Sequence, residues 1–155
     1  MIEKIISGAQ SGADIAGLNV ARDLGISTGG TMPLGYRTEY GDRPEYKDMY
    51  NVTENEHRNY LYRTEENVMN SDGTLVFGNA TEGGSLKTIK FCRTHKKPWY
   101  VITFPEENLC KLSVKDWIEV NNIKILNIAG NRESTNPGIS LFTYSFLKNE
   151  LTRTF

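Results

Sequence analysis

Short apolar runs alternate with longer segments of helical periodicity along most of this chain. The runs predict strands over residues 4–7, 26–28, 73–77, 99–104 and 123–129. The segments that follow them predict helices over residues 14–24, 56–70, 85–95, 113–120 and 138–151. This alternation is typical of a sheet whose strands are connected through helices.

The composition of the strands indicates the kind of sheet. The segment 73–77 reads GTLVF and has no polar position other than its threonine. Unbroken apolar runs of this kind are typical of parallel strands buried on both faces. The sequence therefore predicts one α/β domain over residues 1–155, a Rossmann-like three-layer sandwich with a mostly parallel sheet.

One long segment departs from the alternation. Residues 31–55 are rich in glycine, proline, tyrosine and charge, and they show no sustained period. We predict a loop here. A loop of this length inside a compact domain is usually functional or disordered.

Glycine-rich segments follow four of the predicted strands. They are SGAQSGAD (7–14), TGGT (28–31), GNATEGGS (78–85) and AGNRES (129–134). In open α/β sheets, ligands bind beyond the carboxyl ends of the strands, where helix N-termini offer unpaired amides to anions. We interpret the segments as the parts of one phosphate-binding site, with ordinary tight turns as the alternative. Neither GxxxxGK[ST] nor GxGxxG occurs, which disfavours standard nucleoside triphosphatase and dinucleotide sites.

Candidate ligand-binding residues come from these segments and from two places outside them. Arg132 could grip an oxyanion bidentately, and Asp14 could be either a ligand contact or a helix cap. The candidates within the segments are Gly8, Ala9, Gln10, Ser11, Gly12, Asp14, Gly30, Thr31, Gly83, Gly84, Ser85, Gly130, Arg132, Glu133 and Ser134. The others are Arg37 in the long loop and Arg63 and Asn67 on the polar face of a predicted helix.

Composition and missing motifs narrow the function. A net charge of −1 disfavours a nucleic-acid partner, and the lack of a long apolar stretch predicts a cytoplasmic protein with no membrane partner. Cys92 and Cys110 lack CxxC spacing, so we expect two reduced thiols and no metal site. No HExxH or GxSxG occurs, and only Glu82 and Glu133 are placed for acid–base chemistry. We therefore expect binding without catalysis.

Four segments carry a resemblance to a known family. They are SGAQSGADIAGLN, RTEENVMNSDGTLVF, EGGSLKT and NIAGNRESTNPGI, and they resemble the molybdenum carrier family. That family is a Rossmann-like branch related to the YpsA and lysine-decarboxylase-like (LOG) proteins. The resemblance implies a cytosolic homo-oligomer that binds molybdenum cofactor (molybdopterin), or a related phosphate-bearing molecule, without turning it over.

The chain departs from these relatives at several positions. Ala9 stands where the family usually has a second glycine, Ile15 where it has a charged residue, and Leu34 where it tends to have a lysine. The GGxGTxxE motif of the LOG phosphoribohydrolases is not met after Gly83 and Gly84, which disfavours their reaction. The alternative to a carrier is a binder, sponge or hydrolase for a nucleotide or an NAD-derived signalling molecule.

Overall fold

The computed structural model describes residues 1–105 and 112–154. Cys92 is a buried free thiol, whereas Cys110 lies outside the described residues. The strands are β1 (Lys4–Ser7), β2 (Ser27–Gly29), β3 (Thr31–Met32), β4 (Arg37–Thr38), β5 (Gly41–Asp42), β6 (Thr53–Glu54), β7 (Gly73–Phe77), β8 (Trp99–Ile102) and β9 (Ile125–Gly130). The helices are α1 (Ala13–Asp23), α2 (Tyr46–Tyr50), α3 (Tyr60–Met69), α4 (Gly83–Thr94), α5 (Val114–Val120) and α6 (Ile139–Thr154).

The central sheet confirms the predicted α/β class. Among the described residues it has five strands in the order β2-β1-β9-β7-β8, and every neighbouring pair is parallel. All five residues of β7 are buried, as its unbroken apolar run predicts. No described helix has the length and apolar character that crossing a bilayer requires.

Helices cover both faces of this sheet. On one face, α6 contacts α1 and α5, and these helices share a core with Leu75 and Phe77 of β7. Side chains alternate along a strand, so Thr74 lies on the opposite face, where it hydrogen-bonds Cys92 of α4. Helix α3 packs beside α4 there. The result is the predicted three-layer arrangement.

The strand order locates a crevice. Counting β9 as the first strand turns the order into 3-2-1-4-5, which is the Rossmann order without its sixth strand. The chain leaves β9 toward α6 on one face and leaves β7 toward α4 on the other. Loops that diverge from neighbouring strands open a gap at the carboxyl edge. The functional site is expected above β7 and β9.

The prediction of a loop over residues 31–55 is wrong. Strands β3 and β6 pair in parallel, β4 and β5 form an antiparallel hairpin, and α2 lies between β5 and β6. Elements of two to five residues are too short to show a period. They are held by a small second core that contains Leu18, Met32, Tyr36, Tyr50 and Val52.

One helix starts later than its sequence predicts. Helix α3 begins at Tyr60 rather than at residue 56, because Asn59 caps it. The Asn59 side-chain oxygen accepts a hydrogen bond from the amide of Leu61 at 2.9 Å. Asparagine is a preferred N-cap residue, and it ends the preceding extended segment.

Candidate functional site

Three glycines of the glycine-rich segments let the backbone of one part of the chain lie close against that of another. A Cβ on Gly12 would lie 2.3 Å from the carbonyl oxygen of Asn131, and one on Gly30 would lie 2.1 Å from that of Ser7. A Cβ on Gly130 would similarly meet the carbonyl oxygen of Phe77 at 2.3 Å. The four segments therefore meet at one edge of the sheet, and backbone contacts between them require these glycines.

Gly83 and Gly84 differ from the other glycines. Apart from chain neighbours and the backbone of α4 itself, no atom of the described residues lies within 4 Å of a Cβ built on either one, and both are exposed. They form the first turn of α4, whose N-cap residue Glu82 makes no side-chain capping hydrogen bond. The first turn of α4 is therefore uncovered at its glycines, at the positive dipole end of the helix.

Three backbone amides of the first glycine-rich segment donate hydrogen bonds to side chains of the same segment. The amide of Ala9 donates to the Ser7 hydroxyl at 2.9 Å, and that of Gln10 donates to Oδ2 of Asp14 at 3.4 Å. The amide of Ser11 donates to the Gln10 side-chain oxygen at 3.1 Å. In this conformation these three amides are committed to protein acceptors rather than to a ligand.

A cleft of about 1260 Å³ opens above β7 and β9. It lies between the first turn of α4, the β9–α6 loop and the side of α3 that carries Tyr60 and Arg63. Eight of the predicted binding residues line it: Gln10, Asp14, Arg63, Gly83, Gly84, Ser85, Gly130 and Arg132. Glu82 lines it as well.

The other predicted residues lie outside the cleft lining. They are Gly8, Ala9, Ser11, Gly12, Gly30, Thr31, Arg37, Asn67, Glu133 and Ser134. Asn67 and Thr31 illustrate the reason. The side-chain amide of Asn67 exchanges two hydrogen bonds of 2.9 Å with the backbone of Thr31, so it joins α3 to β3.

A buried ion pair lies in the cleft wall. Nη1 of Arg63 is 3.7 Å from Oδ2 of Asp14, and only 12% and 7% of the two side chains are exposed. Burial raises the pKa of Asp14 to about 6, although Arg63, the amide of Gln10 and Arg132 oppose the rise. Burial also lowers the pKa of Arg63, which Asp14 opposes. Loss of hydration therefore exceeds the mutual attraction at both groups.

Two buried donors in this wall lack acceptors. Within the described part of the chain, Nε of Arg63 and Nε2 of Gln10 have no hydrogen-bond partner. Gly8 makes room for the guanidinium, since a Cβ there would lie 2.4 Å from Nη1 of Arg63. Buried polar groups are nearly always paired in folded proteins. The two unpaired donors belong to side chains that line one cleft.

Tyr60, which the sequence did not place among the candidates, organises the arginines. The Cζ atoms of Arg37, Arg63 and Arg132 lie 4.6, 5.4 and 4.7 Å from the centre of its ring. Guanidinium groups at such distances are attracted by the ring electrons. The ring therefore gathers positive charge beside the cleft, although Arg37 itself stands outside the lining.

Asn131, also absent from the candidates, joins the two loops that flank the cleft. Its side chain accepts from the amide of Asn79 at 2.7 Å and donates to the Asn79 carbonyl at 2.8 Å. It also donates to the hydroxyl of Ser85 at 3.2 Å. These contacts set the spacing between the β7–α4 and β9–α6 loops. Its position within AGNRES was the available sequence signal.

Glu39 is the third residue that the sequence did not indicate. Its carboxylate accepts from the hydroxyls of Ser11 at 2.5 Å and Ser134 at 2.6 Å, and it lies 3.9 Å from Nη1 of Arg132. Burial favours a raised pKa for Glu39, but hydrogen bonds from Ser11, Ser134 and Tyr40 outweigh it, so the pKa is lowered. The β4–β5 hairpin thus brings a carboxylate to donors that we expected to bind a ligand.

Glu133, one of two candidates for acid–base chemistry, caps the N-terminus of α6 with its carboxylate. Its carboxylate accepts from the amide of Gly138 at 2.6 Å and from that of Ser140 at 3.0 Å, at the beginning of α6. Glu82 is exposed at the start of α4. Within the described parts of the chain, no three or more His, Cys, Asp or Glu residues are grouped to hold a metal ion.

We expect Glu133→Ala to lower the free energy of unfolding by about 1–2 kcal/mol, because the amides of Gly138, just before α6, and of Ser140, in its first turn, lose their acceptor. Urea unfolding followed by circular dichroism measures the change. Glu82→Ala is the matched control, and its effect should stay within about 0.5 kcal/mol because Glu82 caps nothing. Equal losses in both variants would contradict the capping role.

Comparison with known proteins places this architecture in a family. The model of the circularly permutated YpsA SLOG family matches residues 5–151. The strand order agrees with a permutation, because the last strand, β9, occupies the place of the first. No curated protein gives a significant match.

Two solved structures are similar to this chain. One is the crystal structure of "Putative molybdenum carrier protein" from Syntrophus aciditrophicus SB, with 37% sequence identity and a TM-score of 0.85. The match covers 97% of this chain and 95% of that one. The other is (E)-4-hydroxy-3-methyl-but-2-enyl diphosphate reductase, the terminal enzyme of the non-mevalonate pathway, at 10% identity and a TM-score of 0.41. This match covers 96% of this chain and 59% of the reductase chain. Similarity at that level supports no inference.

Proposed function

Since this chain belongs to the circularly permutated YpsA SLOG family, we propose that its cleft binds a phosphate-bearing small molecule and carries it without chemical change. One observation carries the proposal. Nε of Arg63 and Nε2 of Gln10 are buried in the cleft wall without an acceptor among the described residues. Both atoms are closed to solvent in this conformation, so a phosphate oxygen in the cleft becomes their acceptor when the two side chains turn toward it.

The rest of the cleft suits the same group. Arg132 lines it with a side chain that is 39% exposed, and the open first turn of α4 offers amides at a positive dipole end. A guanidinium and helix amides together are a common means of holding phosphate. The phosphate is therefore proposed to lie between Arg63, Arg132 and Gly84.

Molybdenum cofactor is the cargo we propose first, because the relative with 37% identity is named as a molybdenum carrier. The cofactor joins a flat pterin to a phosphate. The donors just described suit the phosphate, and Ile89, Phe104 and Pro105 give the cleft an apolar side for a flat ring. The volume of about 1260 Å³ is large enough for such a molecule.

A nucleotide or an NAD-derived molecule is the second candidate, either held or hydrolysed. The strand order favours it, because the cleft lies where Rossmann sheets hold nucleotides. Asp14, a buried carboxyl with a pKa of about 6 in the cleft wall, is placed to serve as a general base in that case. The homo-oligomer, the cytoplasmic location and the absence of nucleic-acid and membrane partners stay predictions.

Extraction of the ligand tests the proposal. We expect protein purified at low salt to release a phosphate-bearing molecule on denaturation, identified by mass spectrometry and by pterin absorbance. Incubation of that molecule with fresh protein should leave it unchanged in chromatography. Adenine or ribose phosphate in the extract would favour the second candidate, and turnover lost in Asp14→Asn would replace a carrier with an enzyme.

The variant Arg132→Ala should weaken binding of the extracted molecule by about 2 kcal/mol, because a charge-assisted hydrogen bond to phosphate is lost. Arg132→Lys should restore part of the affinity, since a lysine cannot reproduce the planar fork. Titration calorimetry measures both. The matched control is Arg93→Ala, which removes an exposed guanidinium from the last turn of α4. Unchanged affinity in Arg132→Ala would remove Arg132 from the site.

A further inference from the structure

The tip of the β4–β5 hairpin is attached to the sheet edge through Glu39. Beside its side-chain contacts, the amide of Glu39 donates to the Gln10 side-chain oxygen at 2.8 Å. The following residues Tyr40, Gly41 and Asp42 are exposed, and 57% of Tyr40 is open to solvent. The carboxylate is therefore the main anchor of an otherwise exposed tip.

The donors around this carboxylate form an oxyanion site. Two hydroxyls, those of Ser11 and Ser134, reach it from two different loops, and the amide of Ser134 approaches one oxygen at 3.4 Å. The Arg132 guanidinium stands on the third side. Hydroxyls, an amide and a guanidinium that converge on one point are the donor set that binds phosphate and similar anions.

Glu39 fills this site incompletely. Its Oε2 is 3.9 Å from Nη1 of Arg132, beyond hydrogen-bonding distance, whereas Ser11 donates to Oε1 at 2.5 Å and Ser134 donates to Oε2 at 2.6 Å. A planar carboxylate offers two oxygens in one plane. A tetrahedral oxyanion offers oxygens in four directions, so it can contact both serines and the guanidinium together.

We propose that Ser11, Ser134 and Arg132 form a second oxyanion site, which Glu39 occupies as a displaceable internal ligand. A tetrahedral oxyanion enters when the hairpin tip lifts and takes over the donors. The inference rests on the proposed function only in that Arg132 lines the carrier cleft as well. Two oxyanion subsites that share Arg132 would hold two anionic groups at once.

Removal of the internal carboxylate tests the proposal. In titration calorimetry with inorganic phosphate and with molybdate, Glu39→Ala should bind one equivalent more than the unchanged chain. This additional site should bind the anion at least about tenfold more tightly than the weakest site of the unchanged chain does. The double variant Glu39→Ala/Ser134→Ala should lose this gain. Asp42→Asn, which removes a charge from the base of the same hairpin, should show no gain.

Thermal stability gives a second readout, which also serves if Glu39→Ala is less stable. Phosphate should raise its melting temperature by several degrees more than it raises that of the double variant. Phenyl phosphate should raise the melting temperature in the same way if the site accepts the phosphate end of a larger ligand. It should leave the melting temperature unchanged if the site encloses a free anion. Either result supports the site.

Absence of any gain in phosphate or molybdate binding, with no thermal rescue, would show that Glu39 is a structural anchor and would overturn the proposal. This outcome is separate from failure of the proposed carrier function. That function fails when the unchanged chain holds no phosphate-bearing molecule in its cleft, whatever Glu39→Ala does.

Discussion

Replacing Arg63 with methionine is expected to weaken ligand binding at least about a hundredfold, because the ligand phosphate loses a charged donor from a buried site. Methionine keeps much of the volume of the arginine stem, so the effect reports the guanidinium rather than a cavity. Titration calorimetry with the extracted ligand measures the loss. Arg93→Met is the matched control, since it makes the same exchange on an exposed turn of α4.

The same change should lower the free energy of unfolding by about 3 kcal/mol at pH 8, because it leaves Asp14 buried without its cation. Arg63 is the strongest of the interactions that oppose the raised pKa of Asp14, so its removal raises that pKa further. Near pH 5 the carboxyl then takes up a proton, and the loss should be smaller. Urea unfolding at the two pH values checks the difference.

An equal loss of stability at both pH values would mean that the guanidinium acts through packing on Tyr60 and not through Asp14. Full retention of ligand affinity would contradict the assignment of the orphaned Nε to a phosphate. The two outcomes are independent, because one is measured without ligand. Together they separate the structural role of Arg63 from its binding role.

The sequence predicts the central sheet well, and the physical reason is burial. Strands enclosed on both faces are largely apolar, so β7 shows in the sequence as an apolar run, and β9 as one interrupted only by Asn127. The segment of residues 31–55 could not be predicted in this way. Its elements depend on contacts with distant residues, such as the hydrogen bond from the Tyr50 hydroxyl to Asn19, and leave no local period.

Some residues of the candidate site could likewise be predicted from the sequence, and others could not. Arg63 and Arg132 could be found because they lie on a polar helix face and after a strand. Glu39 could not be found, because its role depends on a hairpin that meets two serines far away in sequence. Glycine at Gly12 and at Gly84 looks the same in a sequence, yet one is packed against Asn131 and the other faces open space.

Asp14→Asn is expected to change the pH dependence of stability. The carboxyl has a pKa of about 6 in the fold against 3.8 for its ordinary value, so the folded chain binds the proton more tightly than the unfolded chain. The stabilising effect of this proton is complete below about pH 3 and is lost as the pH rises through 6. At roughly 1.4 kcal/mol per pKa unit, Asp14 lowers the stability of the unchanged chain by about 3 kcal/mol between about pH 3 and pH 7.

Asparagine is neutral at every pH, so the variant lacks this contribution. Its stability relative to the unchanged chain should therefore improve by about 3 kcal/mol from about pH 3 to pH 7, as urea unfolding at intervals of half a pH unit would show. Asp116→Asn, an exposed carboxylate on α5, is the matched control and should leave the slope as it is. A relative stability that stays constant with pH would mean that Asp14 is solvated in the folded chain.

A bound phosphate beside Arg63 repels the ionised Asp14 and raises its pKa. Ligand binding near pH 7 should therefore take up protons, and fewer of them in Asp14→Asn. Calorimetry in buffers of different ionisation enthalpy counts these protons, and equal uptake by both proteins would place the phosphate away from the Arg63–Asp14 pair.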